Sequence, residues 1–341
     1  MTSKARQIAD LGGDTANLED ISGAYSAGAL SNRNLIINGA MQVTQRGTSA
    51  FTADDGTYGL DRFVAIATAN GKFTMQQNSG SVTPPTGFTN YLGCVSTAAT
   101  SLGAGDFYQV RQKIEGFNSS VLGWGTAGAL SASLSFWVRS SLTGTFGGSI
   151  TNSAGNRTYS FGYTISSANT WEYKTVSIDL TTTGTWLTGS SIGLQLNFSL
   201  GSGSTYQGTD GSWSDTFKAT VSSAVDVVAT NGATWYITGV QLEAGDTATP
   251  FEHRSYGQEL ALCQRYYWQG NLPVLRNFTG STIAVSSSIG FPVTMRAVPT
   301  VTIGSGTVET AYTSAMSAYL SAGVASGAAY TPGIGTASAE L

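Results

Sequence analysis

Few residues in this chain have the type and spacing that chemistry requires. Cleaving a glycoside takes two carboxylates about 5–10 Å apart, and the chain has 20 acidic residues from which to find them. The densest group is Asp54 and Asp55 with Asp61, in and beyond the turn Asp54-Asp55-Gly56-Thr57. Neighbouring carboxylates in a turn face water and bond their own backbone, so no catalytic residue is assigned and no enzyme is expected. The same oxygen-rich loop suits a hard cation. Asp54, Asp55 and Asp61 are therefore weak candidates for a structural calcium site, and no other cofactor is expected. His253 is the single histidine, and a Ser-His-Asp arrangement would have to use it. Its setting, Pro250-Phe251-Glu252-His253-Arg254, has no nucleophile elbow, so a structural hydrogen bond or an exposed position is expected instead. Gly201-Ser202-Gly203 lacks the lysine and helix of a phosphate cradle. Cys94 and Cys263 sit in no metal or CxxC spacing and read as small buried apolar residues.

Aromatic residues offer a better lead, because sugars stack on rigid, amphipathic ring faces. Trp213 follows Tyr206 in a long polar stretch, Trp124 lies between Gly123 and Gly125, and Trp186 follows Gly184-Thr185. Trp213, Trp124, Trp186 and Tyr206 are the ligand-binding candidates. Each could equally pack over a sandwich edge or into a subunit interface. Trp171 and Trp235 stand at strand starts and read as core.

The elements that must carry these residues are strands. Ile192, Leu194, Leu196, Phe198 and Leu200 alternate with polar or small residues, the period-two pattern of a half-buried strand. Leu134, Phe136 and Val138 do the same, with Trp137 on the opposite face. Tyr108, Val110, Gln112 and Ile114 face one way, and Gln109, Arg111 and Lys113 the other. Tyr236, Thr238, Val240 and Leu242 form a further run. Glycine-rich breaks separate these runs, which together predict an all-β jelly-roll sandwich.

A helix is predicted at 255–268, with Ser255 as N-cap, Gln258 as its capping-box partner and a face of Tyr256, Leu260, Cys263 and Tyr267. Gly270 and Pro273 mark its end. Ile8 and Leu11 share one face of a short N-terminal segment that buries too little to fold alone. At the other end, Phe291-Pro292-Val293 and residues 298–303 read as strands with edge prolines, in a unit whose core is thin. The expected order is an N-terminal arm (1–33), a jelly roll (34–254), a helical joint (255–270) and a small distal β domain (271–341).

Charged residues are only 11% of the chain and glycines number 43, where an average domain has roughly 25% charged residues. Such a surface is wetted by hydroxyls and amides, which suits a protein outside the cytoplasm or one buried in an oligomer. A charge-poor chain with a thin terminal unit should hide surface in an interface, so a homotrimer is expected. The net charge of −4 and the lack of a basic run exclude nucleic acid as a partner. No apolar stretch approaches the ~18 residues of a membrane span, and residues 1–11 lack a signal-peptide core.

Several stretches resemble those of bacteriophage tail-fibre and virion-appendage proteins. They are residues 30–43 (Leu30 through Val43, including Asn34-Leu35-Ile36-Ile37-Asn38-Gly39), then Gln45-Arg46-Gly47 and Leu60-Asp61-Arg62-Phe63. Leu134 to Arg139, Tyr236 to Glu243, Thr249 to Arg254, Glu259 to Tyr267 and Phe291 to Ala297 continue the series in order. The resemblance implies a jelly roll like that of carbohydrate-binding modules, a trimeric fibre, and attachment to other tail or virion proteins through the N-terminal arm, Ile8 and Leu11 included. A host-surface glycan is then the expected distal partner. A carbohydrate-binding adhesin and an adaptor that docks another fibre remain open beside it.

Overall fold

A computed structural model describes residues 32–271, 275–276, 283–303, 309–324, 329–330 and 334–341. Ile8 and Leu11, the expected anchoring pair, lie outside these residues. The alternating runs form two antiparallel sheets. The first has the order Phe51–Thr52 (β1), Phe73–Gln77 (β4), Leu92–Ser96 (β5), Thr234–Ala244 (β15), Ala132–Ser140 (β7) and Glu172–Ile178 (β10). The second has the order Ser212–Ser214 (β13), Thr158–Ile165 (β9), Gly144–Asn152 (β8), Ile192–Ser202 (β11), Phe107–Glu115 (β6), Phe63–Ala67 (β3) and Tyr58–Leu60 (β2). Large apolar side chains from both inner faces close the sandwich. Phe136 of β7 meets Tyr163 of β9 at 5.0 Å and Phe198 of β11 at 5.1 Å, edge to face. Trp235, fully buried on β15, donates its indole N–H to the Tyr163 hydroxyl at 3.0 Å. These contacts establish the jelly-roll sandwich expected from the strand pattern.

Two strands depart from simple alternation. On β15 the run Tyr236, Thr238, Val240, Leu242 does not share one face. Trp235 and Ile237 enter the core, and then Val240 and Leu242 do. The register slips between Thr238 and Gln241, where Gly239 adopts φ +62°. A bulge at a glycine inserts one residue and shifts the phase of everything after it. The second departure is β11, which is buried on both faces from Gly193 to Ser202 rather than half-buried. Its outward polar residues bond sideways: Asn197 donates to Ser149 O at 3.2 Å, and Gln195 to Asn152 O at 3.1 Å. Above them lies a parallel two-strand pair, Gln207–Gly208 (β12) and Thr220–Val221 (β14). Gln109, from the same outer face, donates to Ala219 O at 3.1 Å.

The helix is shorter than expected. A four-residue turn, Gly116–Ser119 (α1), precedes it in the sandwich, and the predicted helix itself spans Tyr256–Gln264 (α2). Ser255 and Gln258 form a complete capping box. Tyr267 lies in the following strand, Tyr267–Asn271 (β16), and Tyr256 is exposed, so of the predicted apolar face only Leu260 and Cys263 pack inward. The helix buries Glu259 and Cys263, because Glu259 accepts the backbone N–H of Asn38 and pairs with Arg254 at 3.6 Å.

Beyond the helix, β16 pairs with Ile334–Ser338 (β23), which also pairs with Thr300–Ile303 (β19). A second sheet joins Ile283–Gly290 (β18), Ser317–Val324 (β21) and Glu309–Thr313 (β20), and Leu275–Arg276 (β17) pairs with Ala329–Tyr330 (β22). Residues 291–299 are irregular rather than stranded, as prolines at 292 and 299 would impose. The buried cluster of this unit is small: Trp268, Ile289, Met295, Ala337 and Ala339.

Several of the stretches that carry the phage resemblance meet around the joint between the sandwich and this unit, while Leu134 to Arg139 lies within the first sheet. The Asn34 side chain donates to Val240 O at 3.1 Å and accepts from the N–H groups of Ile36 and Leu242. Gln112 exchanges two hydrogen bonds with the backbone of Ile37, at 2.8 and 2.9 Å. Asn38 donates to Val43 O and Asp61 O and accepts from Val43 N. Arg62, wholly buried, lies 3.5 Å over the Tyr266 ring and reaches Lys113 O at 2.6 Å. Glu115 accepts both forks of Arg265 and the hydroxyl of Tyr266. Most buried polar groups find at least one partner, and here those bonds run from the sandwich to the helix and the strand after it.

Candidate functional site

The three loop tryptophans come together. Trp124 follows the turn at Ser120–Leu122. Trp186 lies between β10 and β11, and Trp213 lies on the short edge strand β13 rather than in a loop. Ring centroids are 4.9 Å apart for Trp124–Trp186, 5.4 Å for Trp124–Trp213 and 5.9 Å for Trp186–Trp213, all edge to face. Tyr159 joins Trp213 at 5.1 Å. Edge-to-face contact is the geometry that ring quadrupoles favour. Each indole N–H has a backbone acceptor: Leu130 O at 2.7 Å for Trp124, Thr183 O at 3.1 Å for Trp186 and Asp179 O at 3.0 Å for Trp213. The cluster is thus an edge of the main core, to which Trp124 belongs and against which Trp186 and Trp213 pack. Trp124 is nearly buried, while Trp186 and Trp213 remain partly open.

Beside Trp124 and Trp186 runs a cleft of about 420 Å³. Glycines make it: a Cβ on Gly125 would stand 2.9 Å from the Trp186 ring, and one on Gly184 would meet its indole nitrogen at 3.2 Å. Hydroxyls of Ser119, Ser120, Thr126 and Thr188 line it, and no charged side chain does. These small polar residues went unmarked in the sequence. Their signal is compositional, since residues 116–138 and 180–200 contain no Asp, Glu, Lys or Arg. On the outer side Arg157 lies 5.1 Å over the Trp213 ring and pairs with Asp215 at 2.7 Å. Burial and the nearby Asp179 carboxylate push the Tyr159 phenol above its ordinary pKa.

Tyr206 does not join this cluster. It packs with Phe107 at 5.0 Å and Phe217 at 5.5 Å, in a separate group of rings. Trp171 is half-buried outside the core, donating to Thr83 O and touching Tyr91 at 5.5 Å. Trp137, on the outer face of β7 as expected, meets Tyr173 at 5.4 Å.

The three candidate cation ligands are in different environments. Asp61 is completely buried, accepts from the backbone and side chain of Gln45 at 2.6 and 2.7 Å, and lies 3.5 Å from Arg46. Asp54 and Asp55 are at the surface, where Asp55 accepts from Ala67 N at 3.1 Å. Among the described residues no group of three or more His, Cys, Asp or Glu could hold a metal ion. Exposed His253 sits in a ring cluster with Phe88 and Phe251, at 5.4 and 4.9 Å. Cys94 and Cys263 are buried and free, and burial pushes both thiols above their ordinary range.

No family model matches this chain, and no curated protein matches it. Among solved structures it is similar to the enzymatically active domain of bacteriophage CBA120 tailspike protein 4, with 14% identity and a TM-score of 0.34. That match covers 62% of this chain and only 21% of the tailspike chain. TmCBM61 in complex with β-1,4-galactotriose matches at 11% identity and a TM-score of 0.29, covering 62% of this chain and 99% of its own. The family 11 carbohydrate-binding module of Clostridium thermocellum, in complex with a mixed-linked tetrasaccharide, gives 11% identity and 0.30, covering 59% and 99%. What those proteins bind is a property of those proteins.

Proposed function

We propose that this chain is a non-enzymatic structural protein of a phage virion. In this reading it is a homotrimeric tail fibre or related appendage, held to other virion proteins by residues 1–33. The capped end of its sandwich contacts a glycan on the host surface. The observation that carries the reading is the convergence of Trp124, Trp186 and Trp213 beside an open, uncharged cleft. Aromatic faces next to hydroxyls are suited to holding a sugar, and nothing in the cleft is suited to cleaving one: it has no carboxylate, histidine or metal-binding group. The motifs that resemble phage fibres support the virion setting, since residues such as Asn38, Arg62 and Glu115 bond the sandwich to the helix and strand that follow it. That is a mechanical task.

The test has two parts. Light scattering of the full chain across a dilution series should give three times the protomer mass. A monomer would remove the trimer and leave the low surface charge unexplained. Labelled protein should also attach to bacterial cells without releasing sugar from their purified surface polysaccharide; turnover would overturn the non-enzymatic reading.

An adaptor that docks another fibre is the second reading. The observation that favours it is the rim of the same end, where Phe117, Val121 and Leu130 are exposed. Exposed apolar groups gathered in one place mark protein-binding surfaces.

A further inference from the structure

The cleft beside Trp124 and Trp186 also bears on which glycan would fit. Resting on the glycan-contact reading above, we propose that this cleft takes uncharged hexose or deoxyhexose units and rejects acidic ones.

Three features of the site argue for it. The first is the lining. Its polar side chains are the hydroxyls of serines and threonines, joined by glycine backbone. Ser119, Ser120 and Thr126 give their hydroxyl protons to the backbone oxygens of Glu115, Phe117 and Gly123, so they offer lone pairs that accept from a sugar hydroxyl and oppose an anion, while a hydroxyl such as that of Thr188 can donate or accept. A uronate, sialate or phosphorylated sugar would instead bring a charge into a cleft with no cation to receive it. Desolvating an unpaired charge is strongly unfavourable.

The second feature is Arg157, the guanidinium that lies over neighbouring Trp213. It faces the outer ring and already pairs with Asp215 at 2.7 Å. Its stem packs beside Gly184 of the cleft wall, but its guanidinium is already committed to Asp215 and to Thr181 Oγ1 at 3.2 Å, so its charge is met before a ligand arrives.

The third is the rim. Phe117 is 62% exposed, Val121 52% and Leu187 39%. Phe117 donates its N–H to the carbonyl of Gly189, the residue after Thr188 of the cleft, at 2.9 Å. Apolar side chains around an aromatic floor fit the C–H face of a neutral pyranose or the methyl group of a deoxy sugar. The volume, about 420 Å³, is at the small end for ligand clefts, roughly 300–1,000 Å³. It suits a short stretch of chain rather than a long groove-bound polymer.

The experiment is a titration of the full chain with two panels at one ionic strength. One holds neutral oligosaccharides of glucose, galactose, mannose, rhamnose and fucose. The other holds oligogalacturonate, sialylated and phosphorylated oligosaccharides. Calorimetry and tryptophan fluorescence read the binding. At least one neutral oligosaccharide should bind saturably and no acidic one should. Trp186→Ala should weaken that binding about tenfold, as losing a stacked ring would. Because Trp186 also packs in the cap, Thr188→Glu is the second variant: it places a charge at the exposed cleft wall and should abolish neutral binding with the melting temperature unchanged. Acidic binding that Thr188→Glu abolishes would keep the glycan contact and overturn the neutral class. Neutral binding that survives both variants would place the site elsewhere and overturn the proposal. Silence from both panels would overturn the glycan contact itself.

Discussion

Arg62 donates to the carboxylate of Glu340 across 278 residues of sequence, in a pair whose side chains are 1% and 9% exposed. The pair closes the joint from the far end of the chain. Glu340 also holds Arg46 at 3.0 Å, and Arg296 donates to Glu340 O and Ala339 O. A buried pair adds little over an apolar replacement, but breaking it strands a charge. Glu340→Gln should therefore cost about 3–5 kcal/mol, read as a drop in urea midpoint. Combining it with Arg62→Met should recover much of that loss. A single-variant cost under about 1 kcal/mol would mean that water reaches Arg62 and that the clasp is not closed.

The same joint should respond to pH with a definite sign. Burial raises the Asp61 and Glu259 carboxyls above their ordinary values of 3.8 and 4.5, although Arg46 and Gln45 oppose the shift at Asp61, and Asn38 and Arg254 oppose it at Glu259. In the window between the ordinary and the raised value, the folded chain binds more protons than the unfolded chain. Their contribution to stability is thus fullest below the ordinary value and is lost as pH rises through the folded one. The melting temperature of the parent minus that of Glu259→Gln should increase as pH is lowered from 7 toward 4.5. A difference that stays flat would show that Glu259 is solvated, and one that shrinks would show that Asn38 and Arg254 outweigh burial and hold its carboxyl below its ordinary value.

Gly239 should be irreplaceable in the sandwich. It adopts φ +62°, and a Cβ there would stand 2.6 Å from the Phe88 ring. The left-handed conformation alone costs roughly 1–2 kcal/mol for an L-residue, and the steric overlap adds to it. Gly239→Ala should lower stability by about 2–4 kcal/mol in chemical denaturation. A near-neutral result would mean that the bulge can move along β15.

How far the sequence was legible follows from whether each feature is local. Period-two runs such as residues 134–138 and 192–200 are local, and they became sandwich strands. The phase slip on β15 is not visible in a count of apolar residues, because Gly239 reads as one more small residue until its φ is known. The helix ends earlier than its spacing predicts because Tyr267 continues the apolar period yet pairs in β16 with Ser338. Asp61 looked like a surface turn residue beside Asp54 and Asp55; only tertiary folding brings Gln45 and Arg46 to it. The tryptophans were each marked from loop composition, and their meeting at 4.9–5.9 Å depends on three separate segments. Tyr206 has the same local signature as Trp213 and belongs to a different cluster.

That last contrast gives a prediction in which two aromatic candidates separate. Trp213 touches Trp124, Trp186 and Tyr159, and its indole N–H is bonded to Asp179 O. Replacing it with Ala removes a ring from the edge of the main core. Full burial would set the cost near 3–5 kcal/mol, and partial exposure should bring it to about 2–3 kcal/mol. The neighbouring cleft should be disturbed with it, since Trp124 and Trp186 lose their shared contact. Tyr206 is half-buried against Phe107 and Phe217. Tyr206→Ala should lower stability by about 1–2 kcal/mol and leave ligand binding at the cleft unchanged. Both variants are to be compared by urea denaturation and by attachment of labelled protein to cells. If Tyr206→Ala alone abolished attachment, the binding surface would lie over the Phe107 cluster instead of the tryptophan cap.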